Sequence, residues 1–250
     1  MKEAEAQMTT SDDAALPKSV ELLWRLDQPG GRGPKRGLTL DQILEVAIEV
    51  ADAEGYAALS MNRVAKQLGF TAMSLYRYVD SKNTLVELLL DRVVGEPPHI
   101  PPGTPWRTGL EFWARSEFEV IGRHPWWLDI PLKAPPMGPN NMAWLEAGLA
   151  TLADTPVPEP LRLQLVMNLS LYVIGRRWAA RDIAEGADGE EDFTAALQRV
   201  LDPQRFPAIV SALTNRAFDQ DDIDWEKGDF EFGLARMLDG YETLIRSFER

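Results

Sequence analysis

With 250 residues and 45% apolar content, the chain can bury the core of one large domain or two small ones. The absence of cysteine excludes disulfides and thiolate metal sites, and a net charge of −13 argues against a polyanionic partner unless the charge is unevenly spread. It is uneven: residues 17–95 hold ten Lys/Arg against ten Asp/Glu, so the acidic surplus lies outside that stretch. Residues 1–16 are polar and acidic with no signal-peptide pattern, and no apolar run is long enough to span a bilayer, so a soluble, cytoplasmic chain is expected.

Residues 1–37 read as a flexible N-terminal extension ending in a basic arm. Within it, "KSVELLWRLD" (18–27) is a small apolar patch of one or two helical turns, to which the sequence assigns no role. "QPGGRGPKRG" (28–37) has four glycines and two prolines, which rule out a regular element, and its charges (Arg32, Lys35, Arg36) are all positive. Thr39 and Gln42 then form a T-x-x-Q capping box opening a helix, whose apolar positions Leu40, Ile43, Leu44, Ala47, Ile48 and Ala51 recur at three- and four-residue steps until Gly55. Ser60 caps a second, short helix with Val64, Ala65 and Leu68 inward and Gly69 as its stop. Thr71 caps a third with Leu75 and Val79 inward, and Ser81 a fourth carrying Leu85, Leu88 and Leu89. Short helix, glycine turn, short helix is a helix-turn-helix pattern, which places a DNA-binding domain over residues 38–94.

"GEPPHIPPGTP" (95–105) is a proline-rich joint, and beyond it only helices are expected: 106–123, 140–153, 159–185, 190–201, 204–218 and 229–248. The fold class is therefore all-α, with residues 95–250 forming a larger helical domain. His124, in "RHPWW", suits a helix end better than a ligand or metal site. No nucleophile motif, phosphate loop or metal-binding signature occurs, so no catalytic residue, metal or cofactor is expected and an enzyme is disfavoured.

The second helix of a helix-turn-helix lies in the major groove, its first residues on base edges and its flanks on phosphates. With Leu75 and Val79 inward, the outer face of 71–78 presents Thr71, Ala72, Met73, Ser74, Tyr76, Arg77 and Tyr78. Thr, Ala and Met suit a thymine methyl; Ser, Thr and Tyr are hydroxyl donors; Arg77 suits guanine or phosphate. Lys82 opens the next helix, where the helix dipole also attracts a phosphate. On spacing alone, ordinary packing with an amphipathic surface remains the competing account.

The composite "LSMNRVAKQLGFTAMSLYRYVDSKNTLVELLLD" resembles the DNA-binding domain of the TetR family of transcriptional repressors. "EFEVIGRHPWWLDIPL" and "DFEFGLARMLDGYETLI" resemble, more loosely, the tetracycline-repressor-like C-terminal domain. The resemblance implies base contacts from Asn62, Thr71, Ala72, Met73 and Ser74, and phosphate contacts from Thr39, Tyr76, Tyr78 and Lys82, with Arg77 serving either purpose. Arg32, Lys35 and Arg36 extend the family's short arm toward an adjacent minor groove, or else form a solubilising linker.

One reading helix buries little surface, so a homodimer on a palindromic operator is expected. Residues 159–185 are apolar all round, and 229–248 carry a stripe of Phe230, Leu234, Met237, Tyr241, Leu244 and Phe248, widened by Leu238 and Ile245. The resemblance implies that two such helices from each subunit pair in the dimer; one thick intramolecular core is the alternative. Phe112, Trp113, Met142, Trp144, Met167, Asn168, Tyr172 and Arg176 are candidates to line a small-molecule site. The resemblance implies a regulator, a repressor above all, released from double-stranded DNA by a small apolar or amphipathic effector. The competing reading is a helical small-molecule-binding or scaffold protein without DNA binding.

Overall fold

The computed structural model describes residues 16–26, 37–131, 135–186, 193–218 and 225–249; Arg32, Lys35 and Arg36 lie outside them. Eleven α-helices are described: α1 (Lys18–Leu23), α2 (Leu40–Glu54), α3 (Met61–Leu68), α4 (Ala72–Leu75), α5 (Lys82–Val94), α6 (Trp106–Arg123), α7 (Pro139–Thr151), α8 (Glu159–Gly186), α9 (Phe193–Val200), α10 (Pro207–Thr214) and α11 (Trp225–Ser247). Short 3-10 turns occupy Tyr56–Ala58 and Pro125–Asp129. No strand occurs among the described residues. None of these helices is long and apolar enough to cross a membrane.

The chain divides into two compact units, Met1–Pro102 with Glu119–Ala150, and Gly103–Phe118 with Thr151–Arg250. In the first, local chemistry fixes the ends of α2, α3 and α5, whereas Thr71, expected to cap α4, makes no side-chain cap bond and pairs its hydroxyl with Ser74 instead. Thr39 accepts the Gln42 N–H at 3.2 Å while the Gln42 side chain accepts the Thr39 N–H at 3.0 Å, completing the capping box of α2. Ser60 caps α3 through the Arg63 N–H, and Ser81 caps α5 through the Thr84 N–H. At the end of α3, Gly69 takes φ +74° and ψ +25°, the Phe70 N–H reaches back to the Ala65 carbonyl, and the Gly69 N–H reaches Lys66. A left-handed residue with this bond pair is the Schellman termination, which glycine adopts without a Cβ penalty, and it forms the turn between α3 and α4.

Ile43, Leu59, Leu75, Val79, Leu85 and Leu89 are fully buried in the core these helices share. Each such side chain contributes about 1.5–3 kcal/mol over the exposed state. Two carboxylates fasten later segments to this core. Asp52 of α2 accepts the Trp126 indole N–H at 2.6 Å and lies 2.7 Å from His124 Nδ1. Buried Asp91 of α5 accepts the backbone N–H groups of Asn140 and Asn141, and so satisfies the open start of α7.

In the second unit, the buried stripe of α11 runs Phe230, Leu234, Leu238, Tyr241 and Ile245. Leu238 and Ile245 are thus central to it rather than a margin, while Met237 and Leu244 are half-buried and Phe248 is exposed. The helix expected over 204–218 is shorter, Pro207–Thr214, because Pro207 starts it at its first turn. Tyr241 donates to the Leu165 carbonyl at 2.7 Å, and burial pushes its phenol up to about 12. Gly233 permits the approach of α8 to α11, since a Cβ there would lie 2.3 Å from the Tyr172 hydroxyl.

Candidate nucleic-acid interface

Two anchors orient the reading segment. Leu75 and Val79 have no exposed surface, so Phe70, Thr71, Met73, Tyr76 and Arg77 turn outward. The regular helix is only Ala72–Leu75, and residues 76–78 continue as a turn, so the helical part of the surface is shorter than the span 71–78 implied. Met73 is 73% exposed, and Phe70 and Tyr76 are close to half exposed. Three large apolar or aromatic groups in water on so short an element mark a binding surface rather than a packed face. Thr71 and Ser74 pair through their hydroxyls at 3.1 Å, and this leaves one hydroxyl proton to donate outward. Ala72 is half-buried beside them, while Asn62 of α3 and Arg77 are exposed.

The flanking groups fit phosphate at two places. The Thr39 hydroxyl uses an oxygen lone pair to cap α2, so its proton remains available to an anion. Lys82 occupies the first position of α5 with its ammonium 4.9 Å above the Tyr56 ring. A cation at a helix N-terminus opposes the helix dipole, and an anion arriving there satisfies both.

Tyr78 departs from the expected phosphate role. It is half-buried and its hydroxyl donates to the Leu38 carbonyl at 2.6 Å, so the proton that a phosphate would accept is already engaged. Its position four residues from Ser74 and one from Val79 carries it toward the core side of the turn. Arg63, in the middle of the pattern, is likewise turned away, held by Glu54 through its Nε and one terminal nitrogen.

Residues 43–89 match the family described as bacterial regulatory proteins, tetR family, and residues 98–245 match the tetracyclin repressor-like C-terminal domain. The chain is 37% identical over 246 residues to the HTH-type transcriptional repressor DrrR1 of Streptomyces coeruleorubidus, covering 94% of this chain and 89% of that protein. The chain belongs to the TetR family. A second relative, an HTH-type transcriptional regulator of Saccharopolyspora erythraea, is 34% identical over 68% of this chain and 71% of its own. Among solved structures, ActR of Streptomyces coelicolor in complex with actinorhodin aligns with a TM-score of 0.69 at 27% identity, covering 84% of this chain and 99% of that one. The TetR-family protein described here is accordingly a transcriptional regulator with a helix-turn-helix, and not an enzyme.

The residues singled out for a small molecule fall in both units. Met142 and Trp144 belong to the first, the other six to the second. Trp144 is buried and its indole N–H is bonded to the Gly95 carbonyl at 3.0 Å. Trp113 is buried, while Phe112, Met167 and Asn168 are exposed, and the Asn168 amide is bonded to its own helix at the Gln164 carbonyl. Tyr172 donates to the Phe230 carbonyl at 2.7 Å, and Arg176 pairs with Asp229 at 2.7 Å. Their polar atoms therefore tie α8 to α11.

The sequence reading missed Glu117. Its Oε1 accepts the Ser170 hydroxyl at 2.7 Å, while Oε2 is buried without a partner. Burial pushes its carboxyl up to about 7, against the opposing pull of the Ser170 bond. The signal was available: buried Leu110, Trp113, Ala114, Phe118 and Ile121 define an apolar stripe on α6, and position 117 falls inside it.

Proposed function

We propose that this regulator binds a palindromic operator as a homodimer and is released from it by a small amphipathic effector. The observation that carries the DNA reading is the outward surface of Phe70, Thr71, Met73, Tyr76 and Arg77, set on an anchored reading helix and flanked by Thr39 and Lys82. Asn62, Thr71, Ala72, Met73 and Ser74 meet base edges, while Thr39, Tyr76 and Lys82 hold phosphates and Arg77 serves either. Tyr78 instead braces the start of α2. The competing reading, a helical binding protein without DNA, leaves three exposed apolar groups on the reading segment without a role.

The dimer reading is supported by α8. Leu165, Val166, Leu169 and Val173 are buried, yet Leu163, Met167, Leu171 and Trp178 on its other side are exposed, as is Phe232 on α11. A helix apolar on both faces requires a second cover. Effector release is supported by the match of residues 98–245 and by the likeness to ActR bound to actinorhodin.

Titration of the protein with duplex DNA across a salt series tests the proposal. Phosphate contacts require affinity to fall steeply with salt, and Lys82→Ala lowers the logarithmic slope by about one. An affinity insensitive to salt, or unchanged in Tyr76→Phe, Arg77→Ala and Lys82→Ala together, overturns it.

A further inference from the structure

The segment that sequence analysis left without a role, residues 18–26, lies before the stretch matching the family's DNA-binding domain, 43–89. It forms α1 and the turn after it, and it packs on α5. Two faces of α5 are in use. Leu85, Leu88 and Leu89 belong to the helix-turn-helix core. Asn83, Val86, Glu87 and Leu90 follow one another at three- and four-residue steps on another face, which lines a cavity of about 240 Å³ with Val20 and Leu23 of α1. Val86 and Leu90 are only 6% and 7% exposed. A second wall of the cavity is the proline turn Pro135–Gly138. The Trp24 indole N–H donates to the Met137 carbonyl at 2.8 Å, so α1 spans from α5 to that turn.

The same turn is gripped from α5 itself. Asp91 holds Asn140 and Asn141, and Gly138 lies so close that a Cβ would come within 2.1 Å of the Asp91 carboxylate. Six residues, 76–81, separate the end of α4 from the start of α5, with Ser81 as its cap and Lys82 as its first residue. Wherever α5 is held, the reading helix is held with it.

We infer that α1 is a reversible brace that positions the reading helix by fastening α5 to the Pro135–Gly138 turn, with Trp24 as its positioning residue. Two features make the brace reversible. Six residues are too few for a helix that persists undocked. The cavity beneath α1 also leaves the contact incompletely packed, which places it among the parts of the molecule that open first. The brace itself supplies no base contact, for Trp24, just past the end of α1, donates its indole N–H to the Met137 carbonyl. The brace acts on half-site spacing, since a reading helix less firmly held within its own unit tolerates more than one separation from that of a second copy.

The inference rests on the operator-binding reading above, and selection of random duplexes separates the two. Full-length wild type returns palindromes of one half-site spacing. Trp24→Ala, at a half-exposed position, and Val20→Asp, which places a charge between α1 and α5, return the same half-site sequence at several spacings. In competition, the preference for the native spacing over one shifted by a base pair falls at least fivefold, and Trp24→Phe, which keeps the ring and loses the donor, falls between. A merely structural α1 lowers the melting temperature and weakens both spacings alike. An undiminished preference in both variants therefore overturns the brace while leaving operator binding intact. Failure of the wild type to return any palindrome overturns operator binding, and the brace with it.

Discussion

Glu117→Gln tests whether a carboxyl group is held neutral inside the second unit. The fold raises its pKa from 4.5 to about 7 by burial, so the neutral form is the one the folded state favours. Below pH 4.5 both folded and unfolded chains are protonated there and the group costs nothing. Between 4.5 and 7 the unfolded chain ionises while the folded one does not, so unfolding releases a proton and stability falls with rising pH. At about 1.4 kcal/mol for each tenfold difference in proton affinity, the destabilisation saturates near ~3 kcal/mol above pH 7. From pH 5 to pH 8 the wild type should lose about 2–3 kcal/mol that the glutamine variant does not. The new amide is itself partnerless at Oε2's position and shifts the variant's curve by a constant, so the difference in slope is diagnostic. Urea unfolding followed by fluorescence of the eight tryptophans, at fixed protein concentration, gives both curves. Parallel curves over this range would refute the buried, neutral carboxyl.

Gly138→Ala must displace the Asp91 carboxylate, whose oxygen lies 2.1 Å from the new Cβ. Loss of the cap on α7 should cost about 2–3 kcal/mol, a drop of about 5–10 °C in melting temperature by calorimetry. Tyr78→Phe removes the bond to Leu38 and should lower stability by about 1 kcal/mol, while operator affinity falls less than in Tyr76→Phe. The reverse order would return Tyr78 to the phosphate contacts. Leu171→Asp puts a charge on the exposed apolar side of α8, and sedimentation velocity should then show a monomer with operator affinity lost. A variant that stays dimeric places the subunit contact elsewhere.

Much of the molecule is written in local signals. Thr39, Ser60 and Ser81 cap their helices, Gly69 makes the turn, and Leu75 and Val79 anchor the reading helix because each device acts within a few residues of itself. The outward placement of Met73, Tyr76 and Arg77 follows from those two anchors. Tyr78 was not legible in this way, because its partner is a carbonyl forty residues earlier and no periodicity reports where a hydroxyl will find an acceptor. Residues 18–26 were unreadable for a related reason, since Trp24 bonds a carbonyl 113 positions away.

By itself, then, the chain's order of residues determined an all-helical protein with a helix-turn-helix, for the periods and caps that specify helices are properties of neighbours. Tertiary structure alone decided which polar atoms remain available. Glu117 becomes a buried acid, Asp91 a helix cap and Trp24 a tie to the Pro135–Gly138 turn only when distant segments remove water from around them. Desolvation and hydrogen-bond pairing depend on what surrounds a group in space, and that is settled by packing rather than by sequence spacing.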